Sequence, residues 1–290
     1  MVLGSFWFAT MALGIKYASN SFSTAELVFY RGLVSVIFMA LVVRARGVSM
    51  RSPVPMMHIW RTVFGVFALS LWFYAIAHLP LATAMTLNYM SGVWVAAFVV
   101  GGSILYGNSS KQGPLLATVL MGFVGVVMTL RPTLDQNQLF AGIVGLISGV
   151  SAAMAYLQIT SLGKAGEPEE RTVFYFSIGT TLIGSVGMLF SDLTPWSEVR
   201  LEDAAWVIPV GLCATLGQWC MTRAYRKGAT LVVASMQYSG IVFASIYSLL
   251  LFGDQIPAMG WAGIALIVTS GILATLLRAR ALPQTPAEEH

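Results

Sequence analysis

The side chains able to bind or react within the apolar bulk of this chain gather in two stretches, and the two share one pattern. The first runs from Ala82 to Gly92 and carries Asn88, Tyr89 and Ser91, with Trp94 just beyond. The second runs from Ala229 to Gly240 and carries Met236, Gln237, Tyr238 and Ser239. Each opens on Ala-Thr after a tight turn and ends in Ser-Gly in the middle of a long apolar segment. Amides, hydroxyls and aromatic faces can hold a solute by hydrogen bonds and stacking. They are not a nucleophile with a base in reach, which covalent catalysis requires. At membrane depth such groups must face protein or a water-filled cavity, because lipid cannot satisfy them. Ser-Gly pairs also kink helices. The pattern therefore predicts bends at Ser91-Gly92 and Ser239-Gly240 that turn Asn88, Tyr89, Gln237 and Tyr238 towards a shared cavity. If the helix stays regular, Met236 is favoured over Tyr238 for the cavity. The alternative for the same residues is plain helix–helix hydrogen bonding.

Other polar and aromatic positions could join that cavity. Trp72 and Tyr74 lie on one segment, Gln218 and Trp219 on another, and Thr10 and Tyr156 on two more. The Trp residues suit either stacking on a solute or an interfacial belt. His78, Glu26 and Arg31 lie near segment ends and are candidates for a gate, with interfacial placement or snorkelling as the other reading. No acidic residue falls at the centre of an apolar segment, so the expected cavity is neutral and suits a neutral or zwitterionic solute.

The elements that position these residues follow from composition. The chain is 57% hydrophobic and only 10% charged, against about 25% charged in soluble proteins. Its mean hydropathy is +0.77. The apolar runs are long and do not alternate, which points to membrane-spanning helices and excludes a β-barrel. The net charge of +4 is explained by basic loops at a membrane, not by a nucleic-acid partner. Cys213 and Cys220 lie about two helical turns apart and are packing residues. No basic n-region with a cleavage site opens the sequence. The sequence contains no phosphate-binding glycine loop, no HExxH, no Cys/His cluster and no GxSxG. ATP hydrolysis, zinc chemistry and serine hydrolysis have no motif here, and no cofactor is expected.

Ten spans are expected, roughly at 2–18, 25–43, 57–78, 81–105, 113–130, 139–160, 170–191, 204–225, 228–251 and 257–277. Placing the N-terminus inside puts Arg44, Arg46, Arg51, Arg61, Lys111, Lys164, Arg171, Arg223, Arg226, Lys227, Arg278 and Arg280 on the inner side. Only Lys16, Arg131 and Arg200 then lie outside. Cytoplasmic termini follow from that asymmetry. Sliding the sequence by 147 residues aligns Leu69 with Leu216, Trp72 with Trp219, Ala82 with Ala229 and Thr83 with Thr230. That shift moves each span by five, an odd number, so the halves run in opposite directions. Inverted repeats of this kind are the plan of secondary transporters.

Glu26-Leu-Val-Phe-Tyr-Arg31, the two Ala-Thr openings, Leu251-Phe-Gly-Asp254, Gly260-x2-Gly263 and Ile267-x3-Gly271 together resemble the ten-span drug/metabolite transporter superfamily built from two EamA domains. The resemblance covers nearly the whole chain. It departs where that family usually has Pro, near Gly92 and Gly240, and Glu, at Asn108 and Asp254. It implies an all-α integral membrane protein of ten transmembrane helices in two inverted five-helix repeats, 1–131 and 139–277, followed by a polar tail, 278–290. It also implies a secondary transporter of the inner membrane, close to bacterial exporters of amino acids, including aromatic ones, and of metabolites. Its partners would be a small-molecule solute and the lipid bilayer. A monomer is compatible with this, and the oligomeric state is open. Export of other organic solutes or drugs is the nearest alternative. An intramembrane enzyme or a channel is a remote one.

Overall fold

The computed structural model describes residues 1–79, 81–105, 113–130, 138–251 and 257–281, and among them the regular structure is helical throughout. The helices are α1 Val2–Ala18, α2 Thr24–Arg46, α3 Pro55–His78, α4 Leu81–Leu105, α5 Gly113–Leu130 and α6 Leu139–Lys164. They continue with α7 Glu169–Met188, the short α8 Leu201–Ala204, α9 Val207–Lys227, α10 Thr230–Gln237, α11 Ser239–Leu251 and α12 Ala258–Ala281. Helix fills most of each range expected from the apolar runs, but α7 ends at Met188, short of 191, and the last three ranges are interrupted or begin late, at 205–206, 228–229, 238 and 257. Six helical stretches among the described residues are long and apolar enough to cross a membrane, those of α2, α3, α4, α6, α8–α9 and α10–α11. The apolar stretches of α1, α5 and α12 are shorter. The first turn of α7 is charged, at Glu169, Glu170 and Arg171. Asn108, Lys111, Arg131 and Asp254 lie outside the described residues.

The two expected bends differ. The segment holding the second copy of the pattern is interrupted at Tyr238, one residue before Ser239. There Tyr238 N–H donates to Ser235 O (3.3 Å) and Ile241 N–H to Tyr238 O (2.9 Å), both three residues back. Such tightened turns inside a helix mark strain or a hinge. By contrast, α4 runs as unbroken helix through Ser91-Gly92.

The principal packing pairs are α2 with α7, α3 with α6, α1 with α9 and α5 with α12. α4 also packs on α6, and α1 on α11. When the first five long helices are exchanged in order for the second five, with α10–α11 counted as one, α3–α6 becomes α1–α9 and α4–α6 becomes α1–α11, while α2–α7 and α5–α12 map onto themselves. Small residues permit the closest approaches. A Cβ on Gly149 would meet the Leu87 carbonyl at 2.7 Å, and one on Gly32 the backbone N of Thr181 at 2.7 Å.

The end of the bundle that carries the α2–α3 and α6–α7 connections is a network of charges. Glu167 accepts from His58 Nε2 (3.0 Å), Arg171 Nη1 (2.9 Å) and Ser52 Oγ (2.8 Å). Arg46 pairs with Glu170 at 2.5 Å, and Arg226 pairs with Glu169. Burial alone would raise the Glu167 carboxyl. The hydrogen bonds from Ser52, His58 and Arg171, with the Arg171 charge, outweigh it and hold the group below its usual value. At the opposite end of α2, Glu26 closes a capping box with Ser23 and accepts from Thr194 N (3.1 Å). There Ser21 Oγ and Arg200 Nε both donate to Asp203.

Candidate central cavity

Between these two tied ends lies a cavity of about 70 Å³. Its lining comes from α1, α2, α3, α4, α6, α7, α9 and α10. Of the residues singled out in the sequence, it brings together Asn88, Tyr89, Tyr156, Gln218 and Gln237, along with Arg31 and Trp72. Gln237 is 5% exposed. Its side-chain Nε2 donates to Ser91 Oγ (3.0 Å), its Oε1 accepts from the Tyr225 hydroxyl (3.5 Å), and its backbone carbonyl accepts from Ser5 Oγ (3.1 Å). Thus α1, α4, α9 and α10 meet at one residue. Tyr156 stacks on Tyr225, with ring centroids 5.2 Å apart.

The repeated stretches cross at this level in a reciprocal way. A side chain on Gly92 would collide with the Tyr238 hydroxyl, and one on Gly240 with the Tyr89 hydroxyl. The two Tyr rings meet edge to face at 6.2 Å. Each glycine therefore admits the tyrosine of the other copy.

Other expected members lie elsewhere. Tyr238 is fully buried, and its ring packs beside Phe123. Met236 and Ser239 face a second, apolar groove of about 450 Å³ that α12 also lines. The interruption at Tyr238 and the crossing tyrosines, features of tertiary packing, settle which face each of these residues takes. Trp94 packs among Val95, Ala153 and Ala234, and Ser91 serves as the hydrogen-bond partner of Gln237. Trp219 lies under the Arg46 guanidinium, 4.7 Å from ring centroid to Cζ. Thr10 pairs with the Tyr247 hydroxyl at 2.6 Å.

The residues expected to gate also separate. His78 is exposed, stacked on Tyr74 at 3.9 Å, with its Nδ1 2.9 Å from the Tyr74 carbonyl. Tyr74 also meets the edge of Phe140. Glu26 is tied into its helix cap. Arg31 is not at an end: it is 2% exposed and lines the cavity.

A neutral cavity is therefore not what the structure contains. Arg61, counted among the inner-loop charges because it lies near the start of α3, also turns into the cavity, 2% exposed. Its Nη2 donates to Gln218 Oε1 at 3.0 Å. Phe176 of α7 packs against both guanidinium groups and was not foreseen either. The available signal was a single basic residue inside an apolar run, twice over.

Comparison with known proteins adds to this geometry. A model of the EamA-like transporter family matches residues 139–276. The pseudopaline exporter of Pseudomonas aeruginosa strain UCBPP-PA14 is 33% identical over 272 residues, covering 93% of each chain. The S-adenosylmethionine uptake transporter of Rickettsia bellii is 21% identical over 243 residues, covering 82% of this chain and 79% of its own. A solved crystal structure superimposes with a TM-score of 0.78 at 18% identity, covering 96% of both chains, and so shares the fold.

Proposed function

The chain belongs to the EamA-like transporter family, and on that premise we propose that it exports amino acids or related small metabolites by alternating access. It is a multi-pass membrane transporter of small metabolites and not an enzyme. In the proposed architecture, ten transmembrane helices form two inverted repeats, residues 1–131 and 139–277. The exchange symmetry of the packing pairs supports this, as do the reciprocal Tyr89–Gly240 and Tyr238–Gly92 contacts. In secondary transporters of this plan the solute binds near the midplane between the repeats.

The observation that carries the reading is the central cavity, lined by both halves where the repeated stretches cross. At about 70 Å³, it is about half the size of a cavity of roughly 150 Å³ that accepts benzene. A metabolite can be held there only if the halves move apart on one side. The hydrogen bonds and ion pairs at both ends are the contacts that must break in turn. The tightened turn at Tyr238 is a place for that movement to hinge.

The export direction draws support from the 33% identical exporter. The basic loop after α2 and the Arg223–Lys227 turn face the cytoplasm of a plasma-membrane protein on this reading. Transport of other organic solutes through the same cavity is the nearest alternative.

Efflux from proteoliposomes tests the proposal. Vesicles loaded in turn with labelled amino acids and related metabolites should lose at least one of them saturably. Asn88→Leu should slow that loss while leaving the melting temperature near wild type. Failure to move any of these solutes down a gradient would remove the substrate part of the proposal. Cysteines placed in the two basic loops should resist membrane-impermeant thiol reagents added outside intact cells. Rapid labelling of both would reverse the topology.

A further inference from the structure

The cavity holds more positive charge than the described protein answers. Arg31 of α2 and Arg61 of α3 both line it. Both guanidiniums lie against the Phe176 ring, with Cζ 5.8 and 4.0 Å from its centroid. Apart from the Arg61–Gln218 bond, the pair is poorly satisfied. Nε and Nη1 of Arg31, and Nε and Nη1 of Arg61, have no acceptor among the described residues. Trp72 lines the same cavity, and its Nε1–H is in the same condition.

Every one of these unanswered groups is a donor, since neither guanidinium nor indole N–H can accept. Buried charges are expected to be paired, because an uncompensated one is costly in a site of low dielectric. No Asp or Glu lines the cavity among the described residues. Glu26 is engaged at one end, and Glu167, Glu169 and Glu170 are engaged with their own cations at the other. The Phe176 face offsets part of the charge, but it leaves the N–H groups at the guanidinium edges free. Arg61 does not escape by reaching out of the bundle either. Its Nη1 occupies the space that a side chain at Gly65 would fill.

We infer that Arg31, Arg61 and Trp72 form a binding site for an oxyanion group, carboxylate or phosphate, of the transported solute. The planar fork of each arginine matches the paired oxygens of such a group. Two forks against one ring suit a solute with two negative charges, or two carboxylates on a short spacer. This rests on the transport reading above for the word solute. The anion site itself stands on the geometry.

The test measures binding separately from flux. The purified full-length protein in detergent is melted with glutarate, with inorganic phosphate and with neutral dimethyl glutarate. Glutarate or phosphate should raise the melting temperature in a saturable way, and the better of the two identifies the oxyanion. Dimethyl glutarate should not raise it. Arg31→Gln and Arg61→Gln should each weaken the effect at least about tenfold in apparent affinity. Arg61→Lys should recover only part of it, because the charge returns without the fork. Without ligand, the two Gln variants should melt no lower than wild type, since each removes an unanswered buried charge. A purely structural role would instead lower their melting temperature. Absence of stabilisation by both anions, equal stabilisation by the ester, or unchanged anion binding in the Arg31→Gln, Arg61→Gln double variant would each overturn the site. Anion binding without any flux would leave the site standing and remove transport. Saturable flux of neutral solutes with no anion binding would do the reverse.

Discussion

Two regions of this molecule concentrate charge, and they are built on opposite rules. At the end holding the α2–α3 and α6–α7 connections, each buried carboxylate meets a cation. Glu167 has Arg171, Glu169 has Arg226, and Glu170 has Arg46. In the cavity, Arg31 and Arg61 are equally buried and meet no carboxylate among the described residues. A closed network of charges serves the fold, because removing one member strands the others. Cations left open serve something that arrives from outside. Charge alone does not mark a binding site, then; charge without its counterpart does.

The contrast can be broken most forcefully at Glu167. Glu167→Gln leaves the Arg171 guanidinium short of its buried anion and should destabilise by about 3 kcal/mol. For a chain of this size that is a fall of several degrees in melting temperature, readable by scanning calorimetry. Acid should act in the same direction. The folded Glu167 carboxyl titrates below its usual 4.5. Its contribution is therefore complete above pH 4.5 and is lost as pH falls through the lower, folded value. Melting temperatures below pH 4.5 should converge for wild type and Glu167→Gln.

A smaller effect is expected where the two halves cross. Gly240→Ala would press a methyl against the Tyr89 hydroxyl. Overpacking of this kind typically costs about 1–3 kcal/mol. Gly92→Ala should cost a similar amount through Tyr238. If the crossing is the fulcrum of the movement, transport rate should fall more than stability in both variants, which initial efflux rates at matched protein amounts would reveal. The smallest effect belongs to Ser91→Ala. It removes the acceptor of Gln237 Nε2, a bond worth about 0.6 kcal/mol on the scale measured within membranes. Its melting temperature should stay within about a degree of wild type.

The helices were legible because long apolar runs separated by short polar turns leave little else to form. The repeated stretch was legible as a place, since Asn88, Tyr89 and Gln237 do reach one cavity. Which neighbours face it was not. The helix is interrupted at Tyr238, and Gly92 admits the tyrosine of the other copy. Arg31 and Arg61 were misread for one reason. Counting positions along the chain put both near span ends, where a long cationic side chain usually turns outward. That they turn inward depends on Gly65, Phe176 and Gln218, which only the folded chain brings beside them. The Glu167–Arg171 run was visible in sequence, but its partners Arg46, Ser52 and His58 lie more than a hundred residues away.

On this reading the cavity arginines serve the solute and the end network serves the fold. The most direct measurement takes the Arg31→Gln, Arg61→Gln double variant and records its melting temperature and its initial efflux rate on the same preparation. The melting temperature should equal or exceed that of wild type, with efflux of the best wild-type solute reduced at least about tenfold. A lowered melting temperature with efflux per folded molecule unchanged would contradict that reading.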